Sequence, residues 1–197
     1  METKLRTFIA IEIHPQFRNA LKSFIVSLQQ RFGRGFKWVR PENLHLTLRF
    51  IGDSTPDNIR RIGEVLAEIS HAQESFILVN DGTGAFPNWK NARTFWIGFH
   101  QSPTLQALYR QMNDRLAVLG LPSERNIFLP HLTICRIADY CDPLASQQLS
   151  SELQSKPFAG IYESTISRLV FFKSILQPGG PIYTPLSYHP FFQSSKV

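Results

Sequence analysis

The sequence has few of the residues that mark disulfide-stabilised, metal-binding or membrane proteins. It contains two cysteines, and the spacing of Cys135 and Cys141 matches neither a zinc site nor a C-x-x-C redox pair. No stretch approaches the roughly 20 apolar residues of a membrane span. Neither a G-x-S-x-G nucleophile motif nor a G-x-x-x-x-G-K-[ST] phosphate loop is present. We therefore expect a soluble, cytoplasmic protein with reduced thiols.

The composition is that of a globular protein. Hydrophobic residues make up 43% of the 197 residues and charged residues 18%, which excludes a disordered chain and suits one domain or one domain of two similar lobes. The net charge of +6 favours an anionic partner. Because the basic residues are dispersed, an ordinary soluble surface explains the charge as well as nucleic acid does.

Hydrophobic periodicity predicts strands and amphipathic helices in alternation. The order is strand, helix, strand, strand, helix, strand, strand, helix, strand, a weaker helix and a final hairpin. Residues 81–91 are rich in Gly, Pro and Asn and are predicted to form a loop. Adjacent strands are too closely linked for parallel crossovers. We predict an α+β fold, in which residues 1–197 form one domain with two pseudo-symmetric lobes of mainly antiparallel sheet, outer helices and a central cleft.

One strand has a polar face with unusual chemistry. In the stretch from Asn43 to Gly52, apolar residues occupy every second position, and His45, Thr47 and Arg49 lie between them. A strand places these three side chains on one face. Residues 130–136 repeat the His-Leu-Thr pattern, with His131 and Thr133, 86 residues after the first copy. If the two strands meet across the cleft, two imidazoles and two hydroxyls flank one volume.

Such a set of side chains suits phosphoryl transfer at a phosphodiester. Histidine titrates near neutral pH, so one imidazole can take a proton while the other returns one. Threonine hydroxyls and guanidinium groups can stabilise the phosphate oxygens. This chemistry requires no metal, and the remaining histidines and aspartates lack the clustering of a metal site. We therefore expect neither a metal nor another cofactor.

The paired motifs resemble those of the two-histidine (2H) phosphoesterase superfamily. More narrowly, residues 6–11, 38–52, 130–136 and 174–183 resemble the bacterial and archaeal LigT-like RNA 2′,3′-cyclic phosphodiesterases in matching order. The resemblance implies a bilobal fold and hydrolysis of a 2′,3′-cyclic phosphate RNA end to a 2′-phosphomonoester. Some members also join RNA ends through a 2′–5′ linkage. RNA ends, with tRNA fragments as one candidate, are then the expected partner, and a monomer is the default expectation.

The resemblance also implies individual roles. His45 would be the proton donor to the leaving 3′-oxygen and His131 the base that activates water, while Thr47 and Thr133 would bind the phosphate. The motifs themselves are nearly symmetric and do not fix the order of donor and acceptor. Four further residues are candidates for nucleotide binding: Arg49, Arg136, Phe8 and Tyr183.

These four candidates differ in how the sequence places them. Arg49 shares parity with His45 and is expected to face the cleft. Arg136 has the opposite parity from His131 and reaches the cleft only if its strand bulges or ends there. Phe8 and Tyr183 could stack a base, although core packing is the alternative for Phe8.

Two other functions remain open from the sequence. The same fold could serve as an RNA-binding protein without turnover, or it could hydrolyse another small cyclic phosphate. Intact His and Thr in both motifs favour catalysis over binding alone, since a binder needs no pair of proton carriers.

Overall fold

The computed structural model describes residues 4–122 and 127–192, which form an α+β fold. The strands in these ranges are β1 (Leu5–Ile11), β2 (Phe36–Trp38), β3 (Leu46–Ser54), β4 (Phe76–Phe86), β5 (Thr94–Phe99), β6 (His131–Ile137), β7 (Glu163–Ile166), β8 (Arg168–Ile175) and β9 (Ile182–Pro190). The helices are α1 (Pro15–Arg31), α2 (Pro56–Ala72), α3 (Pro103–Val118) and α4 (Pro143–Ser155), and a short 3₁₀ helix spans Pro41–Asn43.

The strands form two antiparallel sheets. One has four strands in the order β3-β1-β8-β9, and the other has five in the order β2-β6-β5-β4-β7. All pairings between these strands are antiparallel. The prediction of an α+β fold with mainly antiparallel sheets is therefore confirmed. The two motif strands lie in different sheets, β3 at an edge of the first and β6 inside the second.

Each of the four helices begins with a proline directly after a capping side chain. The caps, which accept a hydrogen bond from a backbone N–H of the first turn, are His14, Thr55, Ser102 and Asp142. Proline fits there because its missing N–H would have no partner inside the helix. No helix within the described ranges is both long and apolar enough to cross a membrane.

The main core joins the inner faces of the sheets to the helices. Its largest fully buried side chains include Phe17 of α1, Phe95 of β5 and Phe171 of β8. A second, smaller cluster lies apart from this core and contains Phe8, Ala10, Val170 and Phe172, with Tyr183 packed against it. Because both faces of β1 and β8 are packed, the four-stranded sheet is a rigid support for the side chains that contact the smaller cluster.

The predicted loop over residues 81–91 is wrong in its first half. β4 continues through Phe86 and pairs with β5, with a register shift between Asp81 and Thr83 and a positive φ of 56° at Gly82. Gly84 leaves room for the Trp96 indole, since a Cβ at Gly84 would lie 2.2 Å from that ring. The glycines that suggested a loop thus accommodate a bulge and a large cross-strand neighbour.

The stretch from residue 161 to 176 contains two strands that belong to different sheets. β7 pairs with β4 in the five-stranded sheet, whereas β8 pairs with β1 and β9 in the four-stranded sheet. The change of sheet occurs at Ser167, the single residue between them.

Candidate active site

A cleft of about 850 Å³ is lined by residues of both sheets. Seven of the eight predicted site residues line it: Phe8, His45, Thr47, His131, Thr133, Arg136 and Tyr183. Four cations, Arg6, Lys37, Arg40 and Arg136, also belong to the lining, and none of its residues is an aspartate or glutamate. A concave surface lined by positively charged side chains attracts anions.

A second depression, of about 600 Å³, lies between the end of α1 and α4. Its two charged residues, Arg31 and Glu152, form an ion pair of 2.6 Å with each other. It contains no histidine, cysteine or lysine. The cleft is therefore the better candidate for chemistry.

A β-bulge in β3 decides which side chains of the first motif face the cleft. Thr47 pairs with Ala10, but Phe50 pairs with Phe8, so three steps along β3 match two steps along β1. Beyond the bulge the parity of the strand is reversed. Phe50, expected in the core, is 60% exposed and lines the cleft with His45 and Thr47.

The same bulge makes the prediction for Arg49 wrong. Arg49 is only 3% exposed and is absent from the cleft lining. Its guanidinium Nη2 donates a hydrogen bond to the carbonyl oxygen of Pro122. The extra residue, Leu48, turns Arg49 to the opposite face, which simple alternation could not reveal.

A matching bulge in β6 brings Arg136 into the cleft. Thr133 pairs with Trp96 and Arg136 pairs with Thr94, so three steps along β6 again match two along its neighbour. The condition stated for Arg136, a bulge in its strand, is met. His131, Thr133 and Arg136 thus repeat the spacing that His45, Thr47 and Phe50 have in β3.

The His45 ring is held on both of its nitrogens. Nδ1 lies 2.6 Å from the carbonyl oxygen of Asn43, and Nε2 lies 3.0 Å from the Thr47 hydroxyl. A carbonyl only accepts hydrogen bonds, so Nδ1 carries the proton, and in the neutral ring Nε2 accepts from Thr47. The ring also rests on Phe8, with centroids 4.9 Å apart.

His131 is oriented in the same way. Its Nδ1 donates to the carbonyl oxygen of Leu129 at 2.9 Å, two residues earlier, as in the first motif. Phe86 meets the imidazole edge-on at 4.8 Å, and the Trp96 ring lies 6.0 Å away. Both histidines therefore have Nδ1 bound to a backbone carbonyl oxygen two residues earlier, and Nε2 has no backbone partner among the described residues.

Burial lowers the pKa of both histidines. It lowers the pKa of His45 to about 4, and the positive charges of Arg136 and His131 act in the same direction. It also lowers the pKa of His131, again with a contribution from Arg136. An anion bound between the rings would oppose these effects, because a negative charge favours the protonated imidazole.

The two residues predicted as candidates for base stacking differ in their surroundings, since Phe8 is buried and Tyr183 is partly exposed in the cleft lining. Phe8 is 2% exposed and contacts the rings of His45, Phe50, Phe172 and Tyr183. The core alternative therefore describes Phe8, which has no free face for a base. Tyr183 is partly exposed, and Phe50, which the sequence analysis missed, presents the most open ring of this group.

Asn43 joins the first motif to the turn between β8 and β9. Its carbonyl holds His45, and its side-chain amide donates to the carbonyl oxygen of Pro181 at 2.8 Å. Arg40 makes a parallel contact, from Nη2 to the carbonyl oxygen of Gly179 at 2.9 Å. The turn thereby forms one wall of the cleft. No three His, Cys, Asp or Glu side chains within residues 4–122 and 127–192 are grouped to hold a metal ion.

Known proteins resemble this chain along most of its length. The family model described as LigT like Phosphoesterase matches residues 11–96. The curated RNA 2′,3′-cyclic phosphodiesterase of Thermotoga maritima is 33% identical over 182 residues, which is 92% of this chain and 93% of that protein. The protein of the same name from Methanothermobacter thermautotrophicus is 31% identical over 183 residues, with coverage of 93% and 97%.

Solved structures share the fold. The protein TT0787 of Thermus thermophilus superposes with a TM-score of 0.80 at 23% identity, covering 94% of this chain and 97% of that one. Escherichia coli LigT complexed with 3′-AMP gives a TM-score of 0.75 at 22% identity, with coverage of 97% and 100%. On the strength of the sequence relatives, this protein belongs to the LigT-like phosphoesterase family.

Proposed function

We propose that this protein hydrolyses the 2′,3′-cyclic phosphate at an RNA end to a 2′-phosphomonoester. The observation that supports the proposal best is the matched pair of histidines in one cleft. Each has Nδ1 bound to a carbonyl oxygen two residues earlier, so that Nε2 is the ring nitrogen assigned to proton transfer. The relatives named RNA 2′,3′-cyclic phosphodiesterase support the choice of substrate.

In the proposed reaction, Nε2 of His131 removes a proton from a water molecule. The water oxygen attacks phosphorus opposite the 3′-oxygen, and the bond from phosphorus to that oxygen breaks. His45, as an imidazolium, gives its Nε2 proton to the departing 3′-oxygen. One water is consumed, and the product has a 3′-hydroxyl and a 2′-phosphate. The order of donor and acceptor follows the family resemblance.

The other motif residues stabilise the charge on the phosphate. The Thr47 and Thr133 hydroxyls donate to the non-bridging oxygens, where negative charge increases in the transition state. Thr47 can turn from His45 to the phosphate, because an imidazolium no longer accepts its hydrogen bond.

Product analysis tests the proposal. An oligoribonucleotide with a 2′,3′-cyclic phosphate end is incubated with the protein in EDTA, and the ends are identified by chromatography and phosphatase treatment. We expect a 2′-phosphate and no loss of rate in the chelator. A 3′-phosphate, or activity only with added metal, contradicts the reaction as written. Binding without turnover supports the alternative of a non-catalytic RNA-binding protein.

The dependence of rate on pH tests the assigned pair of proton carriers. Both histidines have pKa values below the ordinary 6.5. We therefore expect a bell-shaped plot of kcat/KM with its maximum on the acid side of that value, since kcat/KM reports the free enzyme. The kcat profile should lie at higher pH, because the bound phosphodiester favours protonated rings. A kcat/KM maximum on the alkaline side would speak against the assignment.

Phe50 is proposed to stack on the base of the terminal nucleotide. Phe50→Leu should raise KM for a nucleoside 2′,3′-cyclic phosphate about fivefold, the lower end of the stacking contribution of about 1–3 kcal/mol per base. Phe192→Leu is the matched control, because Phe192 is 55% exposed and does not line the cleft. Equal KM values in the two variants would exclude the stacking role.

Further parts of the proposal concern organisation and scope. We propose that residues 1–197 act as one domain of two lobes, each lobe supplying one His-x-Thr strand. The expected substrate is the cyclic phosphate end of RNA, tRNA fragments included, and the expected working form is a monomer. If the 5′-hydroxyl of a second RNA replaced water as the nucleophile, the same groups would make a 2′–5′ linkage. Incubation with paired RNA ends tests for that ligation.

A further inference from the structure

Lys37 and Arg136 lie side by side in the lining of the cleft. They face each other directly in the antiparallel pairing of β2 with β6, and both are exposed and line the cleft. Residues in such a pair have Cβ atoms about 4.5–5.5 Å apart, and like charges in that arrangement are destabilising. The structure therefore holds two cations together at a cost in stability.

Nothing in the described ranges neutralises this pair. None of the cleft-lining residues is acidic, and neither Lys37 nor Arg136 forms an ion pair with a residue of the described ranges. Elsewhere on the surface arginines do find carboxylates, as Arg60 does with Asp57 and Glu64. The nearest support is the Thr94 hydroxyl, which accepts from Arg136 Nη1 at 3.4 Å. Two unneutralised neighbouring cations form a site for an anion.

The pair lies one step beyond the position proposed for the reacting phosphate. The β5 partners of Thr133 and Arg136 are two residues apart, so the two side chains are separated by about 7 Å along the strand. Lys37 lies one strand further, about 4.8 Å to the side. This offset resembles the separation of consecutive phosphates along an RNA strand.

The opposite half of the cleft offers different chemistry at the equivalent place. There the residue three positions after the motif threonine is Phe50, which stands beside Phe8 instead of beside a cation. An aromatic surface suits a base, whereas the Lys37–Arg136 pair suits a phosphate. A nucleotide with its cyclic phosphate between the histidines would thus direct its base and its 5′ side towards different halves.

We propose that Lys37, together with Arg136, binds the phosphate on the 5′ side of the terminal nucleotide. The protein would then prefer RNA ends and 5′-phosphorylated nucleotides to nucleoside 2′,3′-cyclic phosphates. This inference rests on the proposed function, since it takes the histidine pair as the place of the cyclic phosphate. It makes Lys37 a residue that determines specificity.

The test compares two substrates that differ in one phosphate. Adenosine 2′,3′-cyclic phosphate is measured with and without a 5′-phosphate, at low salt. We expect kcat/KM of the wild type to be about 10-fold higher for the 5′-phosphorylated form, which is one charge-assisted contact of about 1.4 kcal/mol. In Lys37→Gln the ratio between the two substrates should fall clearly below the wild-type value, to what Arg136 alone provides, and Lys37→Arg should retain most of the wild-type ratio.

Lys22→Gln is the matched control, because it removes the same charge from an exposed position on α1 outside the cleft. It should keep the wild-type ratio. A further readout is salt dependence, since loss of one phosphate contact reduces the slope of log kcat/KM against log salt by about 1 for the phosphorylated substrate. A general effect of net charge would lower the ratio equally in Lys22→Gln and Lys37→Gln, and would overturn the proposal.

The outcomes separate this inference from the proposed function. If the wild type hydrolyses both substrates with equal kcat/KM, or if Lys37→Gln keeps the ratio, the 5′-phosphate site is wrong and the hydrolase proposal stands. If neither substrate is hydrolysed, the hydrolase proposal fails. In that case, the dissociation constants of the same two nucleotides are measured by calorimetry for the wild type and for Lys37→Gln. Their ratio in each protein then shows whether Lys37 binds the 5′-phosphate.

Discussion

Replacing His131 by alanine is expected to lower kcat on a 2′,3′-cyclic phosphate end by about 10²–10⁴-fold, the contribution typical of one general acid or base. The variant should keep the fold, because His131 is only partly buried and the one hydrogen bond of its side chain in the described structure is to Leu129. KM should change little, since the phosphate is bound by other groups. Initial rates on a cyclic-ended oligoribonucleotide measure the effect.

His45→Ala should give a loss of similar size, and the double variant should be little worse than either single one, because the two groups act in one step. The two single variants can be told apart with a phosphodiester that has p-nitrophenol as its leaving group. Departure of that group needs no proton, so His45→Ala should recover on it and His131→Ala should not. Recovery of the opposite variant would reverse the order of acid and base.

His71→Ala controls for the loss of an imidazole elsewhere. His71 is exposed in the last turn of α2, outside the cleft, and its replacement should leave kcat unchanged. If a cleft variant keeps more than about a tenth of the wild-type kcat, its loss of rate is smaller than the minimum expected for removal of a proton carrier. Such a result would remove that histidine from the mechanism.

Thr133→Val is expected to lower kcat by about 10²–10³-fold, as the loss of one transition-state hydrogen-bond donor does elsewhere. Valine keeps the branched shape of threonine, so the packing of β6 is retained. Thr133→Ser, which restores the hydroxyl, should recover most of the rate. Thr104→Val, at an exposed position of α3, is the control.

Thr47→Val should show an additional effect that Thr133→Val lacks. The Thr47 hydroxyl bonds Nε2 of neutral His45 at 3.0 Å, which favours the neutral ring. Removing it should raise the pKa of His45 and move the corresponding limb of the pH profile upwards. If both valine variants keep full kcat, the hydroxyls do not bind the reacting phosphate.

The sequence was sufficient for the parts of the site that obey simple alternation. His45, Thr47, His131 and Thr133 all precede the bulges in their strands, so their common face could be predicted from parity alone. Arg49 and Phe50 follow a bulge, and their predicted sides were therefore exchanged. The spacing of 86 residues between Phe50 and Arg136 was a readable sign that the two are equivalent, but alternation pointed away from it.

Contacts between distant segments were beyond the reach of pattern analysis. The edge contact of Phe86 with His131 depends on β4 running through a stretch that reads as a loop. The Asn43–Pro181 hydrogen bond joins residues 138 positions apart. Local propensity describes neither, because both are set by how the two sheets and the β8–β9 turn pack together.

The paired bulges have a consequence for redesign. In each motif strand, the extra residue of the bulge separates two groups of side chains. Before it are the side chains assigned to proton transfer and to binding of the reacting phosphate, and after it is the one assigned to recognition of the base or the 5′-phosphate. Positions 50 and 136 can therefore be varied without disturbing the strand pairing of Thr47 and Thr133. Selectivity for different bases or chain ends can be sought at these two positions, one in each motif strand, while the residues assigned to proton transfer are left untouched.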